Sequence, residues 1–187
     1  EGAVRLVRDE AGSWYRSDTR FGPLVHALLN PGAENSGKLV EIVRRAAVEE
    51  AGRTHAEWVV IDGPPGTGCS AKSAITGTDF VLLVTEPTVS GAHDVERVVQ
   101  LAEFFRVPMG MIVNKSTLDP ERTNDLRKFA RSRSIAWLGE IPFDRSIVEA
   151  VTSLESYPLK HENAIVRTLR SGWDRLRELV ADHPHGQ

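Results

Sequence analysis

The run Trp58-Val59-Val60-Ile61-Asp62-Gly63-Pro64-Pro65-Gly66-Thr67-Gly68-Cys69 decides how the rest of this chain reads. Apolar residues lead into an aspartate, and a Pro/Gly-rich loop follows at once. This is the pattern of a buried parallel strand that delivers a carboxylate to its C-terminal end, where open α/β sheets bind ligands. An aspartate so placed suits Mg2+ held through its water shell, and glycines beyond it let the loop backbone approach a terminal phosphate. Yet no Gly-x-x-x-x-Gly-Lys-Ser/Thr phosphate loop occurs in the 187 residues. Half of a nucleotide-handling site is present without the other half.

Length and composition narrow the class. With 41% hydrophobic and 26% charged residues, the chain reads as an ordinary soluble globular protein. Residues 1–187 are expected to form one domain that buries about 70% of its unfolded surface. The net charge of −3 gives no general attraction to nucleic acid or to an anionic membrane. No apolar run approaches the ~20 residues of a membrane-spanning helix, and no signal peptide is recognisable. A single cysteine excludes an internal disulfide framework and a cysteine-cage zinc site, so a cytoplasmic setting is expected. The first residue is Glu1 rather than methionine, from which a fragment or a processed product is expected.

Strands and helices alternate along the chain. Ala3 to Val7 and Ser13 to Arg16 read as short strands joined by a turn at Asp9-Glu10-Ala11-Gly12. A helix opens at Asn35 or Ser36, with Leu39, Ile42, Val43, Ala46 and Ala47 as its apolar stripe. After the Trp58–Asp62 strand, Phe80–Val84 and Met109–Val113 read as buried strands, and Ile135–Ile141 as a fourth. The helix after Phe80–Val84 caps near Ser90 and turns Val95, Val98, Val99, Ala102 and Phe105 inward. Asp119-Pro120-Glu121 opens another helix with proline in its first turn. An amphipathic helix covers Asn163 to Val180, carrying Ile165, Leu169, Trp173, Leu176 and Val180. This order implies a doubly wound, mostly parallel α/β sheet flanked by helices.

Asp62, Glu86, Asn114 and Asp144 each stand just past an apolar strand. Each alone could serve only as a helix cap or a turn residue. Four in succession point to one rim of the sheet lined with polar side chains.

With these motifs in place, the chain resembles the MinD/ParA/Mrp branch of P-loop ATPases, which also contains the nitrogenase iron protein. Ile61-Asp62-Gly63-Pro64-Pro65-Gly66-Thr67-Gly68 is similar to that branch's switch II loop. Val84-Thr85-Glu86-Pro87-Thr88 resembles its next strand end. Ile112-Val113-Asn114-Lys115 resembles the motif whose asparagine reads the adenine edge, and Ile141-Pro142-Phe143-Asp144 the loop beside the base. Thr19-Arg20-Phe21-Gly22-Pro23-Leu24 is similar to the segment preceding the helix before switch II. The resemblance covers residues 13 to 155. It is greater still to members with an inserted ferredoxin-like domain, in which case residues 1–8 would be the tail of that module and the chain the part C-terminal to phosphate loop and insert.

The resemblance implies ATP and Mg2+ as ligands. Asp62 would contact the Mg2+ water shell, and Gly66 and Thr67 would sense the γ-phosphate. Asn114 and Lys115 would face the adenine, with Glu86, Pro142, Phe143 and Asp144 lining the nucleotide site. It also implies a homodimer and a redox or iron–sulfur partner. The phosphate-loop lysine, its hydroxyl residue and the branch's second, signature lysine have no counterpart, so no ATP hydrolysis is expected from this chain alone. Ser36-Gly37-Lys38 comes nearest and is read as the capped start of a helix, with no strand ahead of it.

Cys69 lies where the nitrogenase iron protein has a cysteine that ligates a shared cluster. A four-iron cluster usually takes four thiolates, and a small, semi-buried apolar role for Cys69 is the plainer expectation; any cluster would sit on a module outside this chain. Two other functions compete: a non-catalytic nucleotide- or protein-interaction module, and an amidotransferase similar to cobyrinic acid a,c-diamide synthase. The latter needs a phosphate loop and a glutaminase partner with a nucleophilic cysteine and a catalytic histidine; one cysteine in a switch loop and the expectation of a single domain argue against it. The four tryptophans fall on different elements and make no stacking platform for nucleic acid.

Overall fold

The computed structural model describes residues 12–32 and 36–182. The anticipated strand at Ala3–Val7, nearly all of the turn before Gly12 and the cap at Asn35 lie outside them. The chain divides into two compact units, with the boundary between Thr76 and Gly77.

The first unit opens with an antiparallel hairpin, β1 (Gly12–Thr19) and β2 (Gly22–Leu29), in which Thr19 pairs with Gly22 across a two-residue turn. Gly22 has φ +121°, a conformation open to glycine. The Thr19 hydroxyl donates to the Gly22 carbonyl at 2.7 Å and accepts from the Phe21 amide at 3.1 Å. Only the first strand of this hairpin was anticipated. Helix α1 (Ser36–Thr54) follows and packs on β2, its expected stripe Leu39, Ile42, Val43, Ala46 and Ala47 half-buried. The Glu50 carboxylate is buried near the end of α1 and faces Arg16 of β1 at 2.9 Å and Arg53 at 3.0 Å. A charge removed from water in this way needs partners at this range.

Trp58–Asp62 does not form a strand. The segment enters no ladder among the described residues, and Val60 is 80% exposed. An apolar run becomes a strand only when a neighbour satisfies its N–H and C=O groups laterally; none of the described strands pairs with this one. The loop leads into α2 (Cys69–Ile75), which buries Ala71, Ala74 and Ile75. The Arg44 guanidinium of α1 donates to the Ser73 carbonyl at 2.6 Å, tying the two helices together.

The second unit is an α/β layer built on a three-stranded parallel sheet, in the order β3 (Val81–Thr85), β4 (Met109–Val113), β5 (Ala136–Glu140). Helices α3 (Val89–Phe104) and α4 (Pro120–Ser132) join these strands. After β5 come α5 (Arg145–Thr152), the single turn α6 (Tyr157–Lys160) and α7 (Ala164–Asp182). Neither α5 nor α6 was expected from the sequence. The α3 cap is Thr88 rather than Ser90, its hydroxyl accepting from the Gly91 amide at 2.9 Å.

Two apolar clusters hold this unit. Leu83, Met111 and Val113 pack with Val95 and Val99 of α3 and Leu126 and Ala130 of α4. Ala150, Tyr157, Ile165 and Val166 join α5, α6 and α7. Helix α7 lies so close to β5 that a Cβ on Gly172 would stand 2.9 Å from the Leu138 carbonyl oxygen. The β4–β5 register shifts between Met111 and Ile112, where Leu138 bulges out and Gly139 takes φ +154°. Met111 is fully buried at the centre of the first cluster. Met111→Ala is expected to lower the stability of the chain by about 2–5 kcal/mol, read from urea unfolding; a shift below about 1 kcal/mol would show that this cluster is not the core of the unit.

Candidate functional site

The C-terminal ends of β3, β4 and β5 converge on one rim of the second unit, because parallel strands all point the same way. β4 is central, and both its neighbours continue their pairing past its last residue. The Asn114 amide donates to the Thr85 carbonyl at 2.7 Å, and the Ile141 amide to the Val113 carbonyl at 2.8 Å. Beyond them the chain turns sharply. Lys115 adopts a left-handed conformation, φ +54°, and the Asn114 side-chain oxygen accepts from the Lys115 amide at 3.0 Å. That bond orients the Asn114 carboxamide, whose nitrogen carries two N–H donors.

The β4 and β5 loops then interlock. The Ser116 amide donates to the Ile141 carbonyl at 2.9 Å, and the Phe143 amide donates to the Thr117 hydroxyl at 3.0 Å. Thr123 of α4 pins the same turn, its hydroxyl donating to the Ser116 carbonyl at 2.8 Å. On the β3 side, the Lys115 ammonium pairs with the Glu86 carboxylate at 2.6 Å, both half-exposed. Gly91 in the first turn of α3 sits where a Cβ would meet the Glu86 carbonyl oxygen at 2.5 Å, so only glycine lets α3 seat against this strand end.

Phe143 presents an exposed ring and Pro142 is half-buried beside it. Asp144 caps α5: its Oδ1 accepts from the Ser146 amide at 2.8 Å and from the Ser146 hydroxyl at 2.5 Å. The Ser146 hydroxyl bond, then the Ser146 amide bond, holds the Asp144 carboxyl below its ordinary value; partial burial opposes this and the nearby His161 assists it. Glu86, Asn114, Lys115, Pro142, Phe143 and Asp144 thus stand at the C-terminal ends of the three parallel strands. Together they offer an oriented amide, an exposed aromatic ring and a paired ammonium.

Asp62, Gly66, Thr67 and Cys69 lie in the first unit. Asp62 is exposed at the end of the extended run, Gly66 takes φ +81°, and Gly68 precedes α2 as its cap. Cys69 is exposed rather than semi-buried. Among the described residues no group of three or more His, Cys, Asp or Glu side chains could hold a metal ion. A lone Asp62 carboxylate suits outer-sphere contact with Mg2+, whose remaining ligands would come from water and phosphate. A single thiolate does not suit an iron–sulfur cluster.

One glycine spacing does precede Ser36-Gly37-Lys38. Gly32 stands five residues before Gly37-Lys38, so Gly32 to Lys38 keeps the Gly-x-x-x-x-Gly-Lys pattern, with Leu39 where a metal-binding hydroxyl would be needed. A strand, β2, does precede it and α1 follows, although β2 belongs to an antiparallel hairpin. Gly37 has a packing role: a Cβ there would lie 3.0 Å from the Cys69 Cβ, so the first turn of α1 rests against the start of α2.

No protein-family profile matches the chain. It is 33% identical over 113 residues to an uncharacterized protein of Methanocaldococcus jannaschii, covering 60% of this chain and 39% of that protein. A second uncharacterized protein of the same organism is 27% identical over 154 residues, 82% of this chain and 51% of its own length. The septum site-determining protein MinD of Bacillus subtilis is 27% identical over 153 residues, 78% of this chain and 56% of that protein. The chain therefore spans between 39% and 56% of the length of these curated relatives. Among solved structures, the cell division ATPase MinD of Pyrococcus furiosus aligns with a TM-score of 0.55 at 21% identity, over 79% of this chain and 60% of that one. The MinD cell division protein of Aquifex aeolicus aligns with a TM-score of 0.60 at 20% identity, over 81% and 64%. Both share the α/β fold.

The lowered value of Asp144 has a testable consequence. A carboxyl whose folded value lies below its unfolded one adds stability above the unfolded value, near pH 4, and loses it as pH falls through the folded value. Asp144→Asn keeps a capping side chain but not the charge. The wild type is expected to unfold at higher urea than Asp144→Asn at pH 7, with the gap closing below about pH 4; a gap that persists at acid pH would assign the difference to shape rather than charge.

Proposed function

We propose that this chain, a relative of the MinD/ParA-type P-loop ATPases, is the part of such an ATPase that recognises the nucleotide base and senses the state of its phosphates. The observation that carries this reading is the interlocked rim of the second unit, where backbone hydrogen bonds join the strand ends, the Phe143 amide bonds the Thr117 hydroxyl, and Lys115 pairs with Glu86. Such rigidity lowers the ordering cost of binding.

Asn114 supplies the N–H donors for an adenine edge, and Phe143 the apolar surface for its face. Lys115 and Glu86 form the polar wall, and Pro142 and Asp144 complete the loop around the base. In the first unit, Asp62 would face a water of the Mg2+ shell, and Gly66 and Thr67 would face the terminal phosphate. Bound Mg2+ would offset phosphate charge. Hydrolysis requires backbone N–H groups and a lysine around the phosphates and a hydroxyl on the metal. Leu39 in place of that hydroxyl supports a chain that binds without turning over. In a whole ATPase, the nucleotide cycle would switch a homodimer between two shapes and drive a redox or iron–sulfur partner, with any cluster on another module.

Calorimetry decides the first half of this proposal. ATP is expected to bind the purified chain more tightly than GTP, and Asn114→Ala to weaken ATP about tenfold, the worth of one or two hydrogen bonds. Unchanged ATP affinity in Asn114→Ala would remove Asn114 from the site. Phosphate release decides the second half: no rate above an Asp62→Ala control is expected, and a clear excess would show that the chain is a complete ATPase.

A further inference from the structure

A line of hydrogen bonds runs behind the Pro142–Asp144 loop and ends on it. The Asn163 carboxamide nitrogen donates to the Tyr157 phenol oxygen at 2.9 Å. That phenol lies 3.1 Å from the Ser146 hydroxyl, which lies 2.5 Å from the Asp144 carboxylate. The direction of every proton follows from chemistry. An ionised carboxylate only accepts, so the one hydroxyl proton of Ser146 goes to Asp144. Tyr157 must then donate to Ser146, which leaves its oxygen to accept from Asn163. The Asn163 amide is itself oriented, because its oxygen accepts from the Val166 amide at 3.2 Å.

The line joins three helices through one buried ring. Ser146 is in α5, Tyr157 in α6, and Asn163 precedes α7. Tyr157 is buried in the second apolar cluster, and its ring is stacked with His161 at 4.2 Å between centroids. Donors aligned in series polarise one another, so the last bond, onto Asp144, is strengthened by those behind it.

We infer that Tyr157 is a positioning residue for the nucleotide site, acting through Ser146 to fix the Asp144 end of the base loop. The inference rests on the reading of Pro142, Phe143 and Asp144 as that loop. Nothing in the local sequence pattern links Ser146, Tyr157 and Asn163 to one another, since they stand on separate elements and meet only in the folded unit.

Tyr157→Phe removes one oxygen and keeps the buried ring. Ser146→Ala removes the next donor, and Ser146→Thr restores it. Carbon NMR of the Asp144 carboxyl, followed against pH in the purified chain, is expected to show a higher titration midpoint in Tyr157→Phe and Ser146→Ala, and a return toward wild type in Ser146→Thr. ATP affinity by calorimetry is expected to fall about fivefold in the first two variants and to recover in the third. A merely structural role for the phenol would lower thermal stability without moving the Asp144 midpoint, and an unmoved midpoint overturns the inference. A raised midpoint with unchanged ATP affinity overturns the positioning role alone. Should the wild type bind no ATP, the nucleotide reading itself fails, while the Asp144 titration still decides the hydrogen-bond line.

Discussion

β4 is hydrogen-bonded along both edges, and four of its five residues are buried. That double burial governs the second unit. A strand with no solvent face cannot carry a polar side chain along its length without a costly unpaired group, so polar chemistry is displaced to the strand's end. There the ladder must also stop, and its last carbonyls must find donors. The Asn114, Ser116 and Ile141 amides supply them, and in doing so they set the turn that places Asn114, Lys115 and Phe143 on a common rim. The same burial that fixes the core therefore fixes the site.

How much of this could be read from sequence varies with where the determining contacts lie. β3, β4 and β5 were legible because each is a short apolar run closed by a polar residue, and the polar residues of the rim are those closing residues. Trp58–Asp62 carries the same signal, but strand formation depends on a lateral partner that no run of residues encodes by itself. β2 was missed because Gly22-Pro23-Leu24 was assigned to a segment leading into a helix rather than to a hairpin. The two-residue shift at the α3 cap is a competition between similar hydroxyls. Thr88 prevails because Gly91 must sit against the Glu86 carbonyl, where no side chain fits.

The least legible part is the support behind the loop. Asp144 was visible as a strand-end carboxylate, and Ser146 two residues on could have signalled the cap of α5. Tyr157 gave no such hint and Asn163 only that of a helix start, since aromatic and amide residues recur throughout α/β proteins and acquire meaning only through distance. Fold and site are thus written in local patterns, whereas the orientation of a site residue is written in contacts between helices that are remote in sequence.

Cys69 is the only cysteine in 187 residues, it is exposed, and it opens α2 directly after the Gly66-Thr67-Gly68 loop. A Cβ on Gly37, in the first turn of α1, would stand 3.0 Å from the Cys69 Cβ. The unaltered chain therefore carries one unique thiol at the joint between two helices and the loop that follows Asp62. A fluorophore or spin label attached there reports on that joint in a wild-type sequence, without any residue having to be introduced or removed.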